Sequence, residues 1–95
     1  MTRVELVAGM QESCAELFNQ TNPPLVANEA DWLGAEMIFD ENSNVVTVLA
    51  KWRSVDSYRK FSSSEAFRET MKKFGAFFAG PPEITVNRLL VEMKH

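Results

Sequence analysis

Two β-rich segments separated by a short polar turn constrain the fold of this chain more than any other feature of its sequence. Leu33–Asp40 alternates between two faces, and Val45–Arg53 begins with an almost wholly apolar run. The intervening Asp40–Asn44 contains Asp, Glu, Asn and Ser, whose short polar side chains favour turns because they hydrogen-bond to the local backbone. The sequence therefore predicts a hairpin whose first strand presents one face made of Leu33, Ala35, Met37 and Phe39.

A strand and a helix are predicted before the hairpin. Arg3–Ala8 is β-rich, and Gln11–Asn22 has apolar residues at helical spacing. Pro23-Pro24 is expected to interrupt this helix, because proline lacks the backbone N–H and clashes with the preceding turn. Residues 25–30 fit either a short restarted helix or a plain loop.

A second helical region and a last strand are predicted after the hairpin. Ser54 fits a helix N-cap, and Ser62–Glu65 fits a capping box at a second start. Gly80 and the prolines after it end the helical pattern, and Glu83–Met93 fits a fourth strand. One helical face then carries Phe67, Met71, Phe74 and Phe78.

The element order βαββαβ predicts a ferredoxin-like α+β domain over residues 1–95, with a four-stranded antiparallel sheet and two helices on one face. Because the strand that begins at Val45 is apolar on both faces, the face without helices would expose an apolar patch. We expect a second copy to cover that face in a homodimer, giving a dimeric α/β barrel. The alternative is a monomer with a Thr- and Val-rich outer face.

Charge and residue counts argue against several partners and cofactors. The net charge is −3 and the only tight basic cluster is Lys72-Lys73, so a nucleic-acid partner is not expected. The segment Met1–Met10 resembles neither a signal peptide nor a membrane span, and the single Cys14 fits a reducing compartment, so we expect a cytoplasmic protein without a membrane partner. The only histidine is His95, which rules out two-histidine metal sites and histidine-based triads. No metal or other cofactor is therefore expected.

Several motifs of the chain together resemble the antibiotic biosynthesis monooxygenase domain, a branch of the dimeric α/β-barrel proteins. The resemblance covers roughly residues 2–91, and its most specific part runs from Trp52 to Phe67. The motifs are Trp-Leu-Gly-Ala-Glu-Met at 32–37, Val-Leu-Ala-Lys-Trp-Arg-Ser at 48–54, Tyr58, and Ser-x-x-Phe at 64–67.

This resemblance implies a pocket between the helices and the concave side of the sheet, with Trp52 and Tyr58 at motif positions as the candidate catalytic residues. Some members of the family oxygenate phenolic, polycyclic substrates without metal or flavin, and the deprotonated substrate supplies the electrons. Others degrade haem with a histidine on the second helix as the iron ligand. The segment Ser54–Gly80 contains no histidine, so haem degradation is disfavoured.

Each candidate residue also has a purely structural interpretation. Trp52 could donate a hydrogen bond to a substrate oxygen or simply seal the core, and Tyr58 could hold a phenolate or lie half-buried with a wet hydroxyl. Phe74 and Phe78 could bind substrate or only pack a helix on the sheet.

Two charged residues complete the candidate substrate-binding set. Arg88 could stabilise an anion or form an ion pair with Glu36 or Glu92. Glu36 could act as a general base if it is buried, or face solvent.

The sequence thus predicts a small cofactor-independent monooxygenase that acts on an aromatic or polyketide-type substrate. A dimeric protein that binds a small aromatic molecule without turnover is the main alternative, because no clear base is present. An isomerase or cyclase on the same fold is a third.

Overall fold

The hairpin predicted around the Asp40–Asn44 turn is present and forms one half of a four-stranded sheet. The computed structural model describes residues 1–95. Its regular elements are β1 (Thr2–Glu5), α1 (Gln11–Val26), β2 (Trp32–Asp40), β3 (Val45–Trp52), α2 (Val55–Ser62), α3 (Glu65–Phe74) and β4 (Glu83–Ile84).

The sheet has the order β2-β3-β1-β4, and every neighbouring pair is antiparallel. The helices pack on one face, where Val4, Leu6 and Val46 of the sheet form the buried core with Cys14 of α1 and Phe74 of α3. The predicted ferredoxin-like α+β fold is confirmed, and the sheet of the single chain is open rather than closed into a barrel.

The prediction that Leu33 shares a face with Ala35 is wrong. The β2–β3 pairing shifts register between Trp32 and Gly34, where Gly34 adopts a φ of 148° that other residues rarely adopt. This bulge leaves the Leu33 side chain 53% exposed, while Ala35 and Met37 still face the helices.

The second helical region, in which the sequence predicts two helix starts, consists of two helices. Ser54 caps α2 as predicted, with its Oγ accepting a hydrogen bond from the N–H of Ser57 at 3.4 Å. The capping box predicted from Ser62 is wrong, because the N-cap of α3 is Ser64, whose Oγ accepts from the N–H of Phe67 at 3.1 Å. None of the three helices combines the length and the apolar character that crossing a bilayer requires.

The predicted interruption at Pro23-Pro24 is also wrong, because α1 continues through both prolines to Val26. Proline has a helix-compatible φ, and its cost arises from the clash of its ring with the preceding turn and from the carbonyl left without a donor four residues earlier. Those carbonyls belong to Asn19 and Gln20, whose residues are exposed, so water can bond them. The extra turn buries Val26 to 6% exposure, which offsets part of the cost.

The terminal strands are shorter than predicted. The sequence predicts β1 over 3–8 and β4 over 83–93, but the β1–β4 ladder has only two residue pairs. Two backbone bonds between Met1 and Thr85, at 2.6 and 2.8 Å, extend it slightly. Residues after Thr85 have no neighbouring strand to pair with, so they adopt no regular structure.

Candidate functional site

A cavity of about 120 Å³ lies between the helices and the sheet. Of the 22 residues that line it, 18 are hydrophobic. The floor is the inner face of β3, where Val46, Val48 and Ala50 alternate toward the helices, and α1, α2 and α3 supply the walls. Ligand sites are commonly concave and apolar with few polar groups, and this cavity has that character.

Trp52 lines the cavity at the end of β3, where it lies directly across from Trp32 of β2. Its alternating position on the strand turns the indole to the same side as Val48 and Ala50. The indole also packs against Phe61 of α2, with ring centroids 4.9 Å apart. Strand register and the neighbouring helix together fix this side chain.

Tyr58 lines the cavity from the first turn of α2. The chain reverses at Arg53-Ser54, and the backbone N–H of Tyr58 donates to the carbonyl of Ser54 at 3.2 Å. The reversal brings the Tyr58 ring to an edge contact with Trp52, with centroids 6.0 Å apart. The structure therefore places both candidate catalytic residues at one end of one cavity.

Trp52 and Tyr58 each bring a hydrogen-bond donor to the cavity. Neither the Tyr58 hydroxyl nor the Trp52 indole N–H bonds to another protein group. The hydroxyls of Thr21 and Thr70, which also line the cavity, already donate to backbone carbonyls at 2.7 and 2.9 Å. The Tyr58 hydroxyl and the Trp52 N–H therefore remain available to an acceptor oxygen on a ligand, as do the polar side chains of Thr2 and Asn22, which also line the cavity.

No charged residue lines the cavity. Cys14 is its one thiol, and burial raises the pKa of that thiol above its ordinary value of 9.0. The thiol therefore stays protonated near neutral pH, and the cavity offers a ligand hydrogen bonds and apolar contact rather than an ion pair.

Phe74 and Phe78 both line the cavity, as do Phe67 and Met71 of the same predicted stripe. Phe74 is 7% exposed and belongs to the core, whereas Phe78 lies beyond the short 3-10 turn Gly75–Phe77 that ends α3. The aromatic stripe therefore forms one wall of the cavity.

Arg88 and Glu36 lie away from this cavity. Arg88 is exposed in the irregular segment after β4, and Glu36 is exposed on the outer face of β2, opposite Leu49. The ion pair considered for Arg88 is not formed, since Glu92 instead lies 3.5 Å from Lys51 and 3.2 Å from Lys94. The structure does not bring either residue to Trp52 and Tyr58.

Sequence reasoning missed the contribution of the last turn of α1 to the cavity. Asn22, Leu25 and Val26 line it, but the predicted helix ended at Asn22. A signal was present, because Cys14, Phe18, Thr21 and Leu25 continue one helical spacing across the two prolines.

Comparison with known proteins identifies a family that matches this chain. A family model described as "Antibiotic biosynthesis monooxygenase" matches residues 1–73. The matched range includes Trp52 and Tyr58 but ends before Phe74. No curated protein sequence matches the chain.

Solved structures agree with the fold. The chain resembles a protein from Bordetella bronchiseptica, provisionally assigned as an antibiotic biosynthesis monooxygenase, with a TM-score of 0.78, 22% identity, and coverage of 94% of this chain and 93% of that one. It also resembles Rv0793 from Mycobacterium tuberculosis, with a TM-score of 0.75, 14% identity, and coverage of 98% and 94%. A conserved protein from Methanosarcina mazei gives a TM-score of 0.77 at 14% identity, with coverage of 92% and 86%. At these identities the structures show the fold alone.

Proposed function

We propose, from the premise that this chain belongs to the antibiotic biosynthesis monooxygenase family, that it oxygenates an aromatic or polyketide-type substrate held between Trp52 and Tyr58. One observation carries the proposal: the adjacent rings of Trp52 and Tyr58 each bring a hydrogen-bond donor without a protein partner to one end of a mainly apolar cavity.

The proposed reaction needs no external reductant. The substrate loses two hydrogen atoms and gains one oxygen atom from O₂, and the other oxygen atom leaves as water with those hydrogens. Electrons come from the deprotonated, electron-rich substrate. The Trp52 N–H and the Tyr58 hydroxyl donate to its anionic oxygen, and such preorganised donors act most strongly in a site that excludes water.

The size of the cavity favours a small substrate. A dry cavity of about 150 Å³ in another protein binds benzene, so a cavity of about 120 Å³ matches roughly one aromatic ring. A fused-ring substrate requires the surrounding side chains to move apart. We therefore expect single-ring hydroquinones to bind more readily than anthrones.

Oxygen uptake tests this function. The protein is incubated with a panel of hydroquinones and anthrones under ¹⁸O₂, and we expect consumption of O₂ with one labelled oxygen atom in the product. The Tyr58→Phe variant serves as the matched control and should be slower with the same substrate. Tight binding of the panel without any oxygen uptake would overturn the proposal.

That outcome would favour the second candidate, a binding protein without turnover. The specific observation behind it is that no carboxylate, imidazole or amine lines the cavity, so no side chain there is an obvious base. An isomerase or cyclase would also need a proton-transferring group at this place. Because the cavity offers no such group, the substrate of the proposed oxygenase must lose its proton to water.

We also propose that the protein is a cytoplasmic homodimer joined through the outer face of the sheet. No helix covers that face, where Val45, Thr47 and Leu49 of β3 lie beside Ile38 of β2. The segment after β4 adds five apolar side chains that are more than half exposed, namely Val86, Leu89, Leu90, Val91 and Met93. A second copy is the simplest cover for such a surface.

A further inference from the structure

Asp31, just before β2, contacts both sides of the turn that separates Trp52 from Tyr58. Its backbone carbonyl accepts a hydrogen bond from the N–H of Arg53 at 2.8 Å. Its carboxylate accepts one from the hydroxyl of Ser57 at 2.5 Å. Asp31, which lies just before β2, therefore accepts hydrogen bonds from two residues of this turn, Arg53 and Ser57.

Apart from the packing of Phe61 against Trp52, the other contacts that hold this turn are local. α2 has only eight residues, too few for a helix that is stable by itself in water. The N-cap bond from the N–H of Ser57 to Ser54 is long, at 3.4 Å. The Asp31–Ser57 hydrogen bond joins residues that are 26 positions apart, so it attaches the first turn of α2 to the start of β2. The cap at Ser54 bonds only within the turn itself.

This anchor acts on the candidate site without touching it. Asp31 and Ser57 do not line the cavity, but their immediate neighbours Trp32 and Tyr58 do. Trp32 lies across from Trp52 in the β2–β3 ladder. The Asp31–Ser57 bond therefore links the strand pair that carries Trp52 to the helix that carries Tyr58.

We propose that Asp31 is a positioning residue, which acts through Ser57 to set the place of the Tyr58 hydroxyl relative to the Trp52 indole. The proposal rests on the proposed function, because it takes these two side chains as the groups that contact the substrate. It assigns to Asp31 no contact with the substrate and no role in proton transfer.

The test uses the only tyrosine of the chain as its reporter. Protein labelled with 3-fluorotyrosine gives one ¹⁹F resonance, which comes from Tyr58. In the ligand-free protein, Asp31→Ala and Ser57→Ala should shift or broaden this resonance in the same way, and the double variant should add little because the two residues form one interaction. Asp31→Asn, which keeps an acceptor oxygen, should restore most of the parent signal.

Asp56→Ala is the matched control, since Asp56 is an exposed acid in the same helical turn that makes no side-chain hydrogen bond. It should leave the resonance in place, and all these variants keep the backbone bond between Asp31 and Arg53. A resonance that does not move in Asp31→Ala, or that moves as much in Asp56→Ala, would overturn the positioning role.

Binding of a single-ring hydroquinone, followed by tryptophan fluorescence, extends the test to the site. We expect Asp31→Ala and Ser57→Ala to weaken binding roughly fivefold, with Asp31→Asn close to the parent. If the parent binds hydroquinone but consumes no oxygen, the oxygenase proposal fails and the positioning role stands. If the resonance moves but binding does not change, the inference that this anchor serves the site is wrong.

Discussion

The rings of Trp52 and Tyr58 meet edge to face, with centroids 6.0 Å apart and planes inclined by 63°. Trp52 comes from the end of a strand and Tyr58 from the start of the next helix, so the two residues are close in sequence and a short turn brings their rings together. The polar atoms of both rings lack protein partners. A change to either polar atom can therefore alter ligand binding without removing an interaction that stabilises the fold.

Tyr58→Phe should leave the free energy of unfolding nearly unchanged and weaken ligand binding. The hydroxyl makes no hydrogen bond within the protein, so its loss leaves no protein group unsatisfied. A neutral hydrogen bond to a ligand contributes about 0.5–1.5 kcal/mol, which corresponds to roughly two- to tenfold in Kd. Urea denaturation and titration with hydroquinone, both followed by tryptophan fluorescence, measure the two effects.

Thr70→Val is the comparison for this variant. It also removes a cavity hydroxyl, but one that already donates to the carbonyl of Ala66. We expect a smaller change in affinity than for Tyr58→Phe. Equal affinities of the parent and Tyr58→Phe for every ligand of the panel would mean that Tyr58 is a structural residue.

The parts of this site that follow from local sequence patterns could be predicted, and the parts that depend on distant contacts could not. Alternation along β3 and the Ser54 cap place Trp52 and Tyr58 correctly, because each rule involves only a few neighbouring residues. The Asp31–Ser57 bond joins positions 26 residues apart, and no local pattern marks it.

The two largest errors of the sequence prediction, the end of α1 and the length of β4, have a common origin. Proline rules state a local cost, whereas the burial of Val26 against the rest of the protein, which offsets part of that cost, is not a local property. The pattern of residues 83–93 fits a strand, yet a strand also needs a neighbour, and β1 supplies only two pairs. Sequence propensity could not reveal either the gain or the missing partner.

Leu49→Lys should weaken the proposed homodimer. Leu49 lies on the outer face of β3 and is 37% exposed in the single chain, so a lysine fits there without disturbing the core. In the dimer, however, the lysine would be taken out of water beside Glu36, which lies opposite position 49 in the ladder, and the cost of desolvating two charges can exceed the gain from their pairing. Light scattering at micromolar concentration should show a shift from twice the 10.8 kDa chain mass toward the mass of one chain.

Val55→Lys provides the control for this charge. Val55 is 48% exposed at the start of α2, on the helical side of the sheet, and the same substitution there should leave the dimer intact. A parent protein that scatters as a single 10.8 kDa chain would refute the dimer itself.

Asp40→Asn should lower stability at neutral pH but not in strong acid. The backbone N–H of Asn42 donates to the Asp40 carboxylate at 2.9 Å, and this bond, followed by one from the Ser43 hydroxyl, lowers the pKa of Asp40 below its ordinary value of 3.8. A carboxylate with a lowered pKa stabilises the fold above its unfolded-state pKa, and this contribution disappears as the pH falls through the folded-state value. The stability difference between parent and variant should therefore shrink below about pH 4.

Urea denaturation at pH 7 and at pH 2 measures this difference. Glu41→Gln is the control, because it removes an exposed carboxylate in the same turn that makes no hydrogen bond. A difference between parent and Asp40→Asn that is as large at pH 2 as at pH 7 would show that the carboxylate charge is not responsible.

Cys14 should report the occupancy of the cavity through its reaction with a thiol reagent. The side chain is 1% exposed and lines the cavity, and it is the only thiol in the chain, so a single rate describes the whole reaction. Because burial raises its pKa, little thiolate is present at neutral pH, and the rate should keep rising above pH 9, where an exposed thiol levels off.

A hydroquinone that fills the cavity should slow modification further. Ser63→Cys in a Cys14→Ser background gives an exposed thiol whose modification rate should not change when the ligand binds. If Cys14 reacts as fast as that exposed thiol, burial does not suppress its reaction, and if a bound hydroquinone gives no protection, the ligand does not occupy this cavity as proposed.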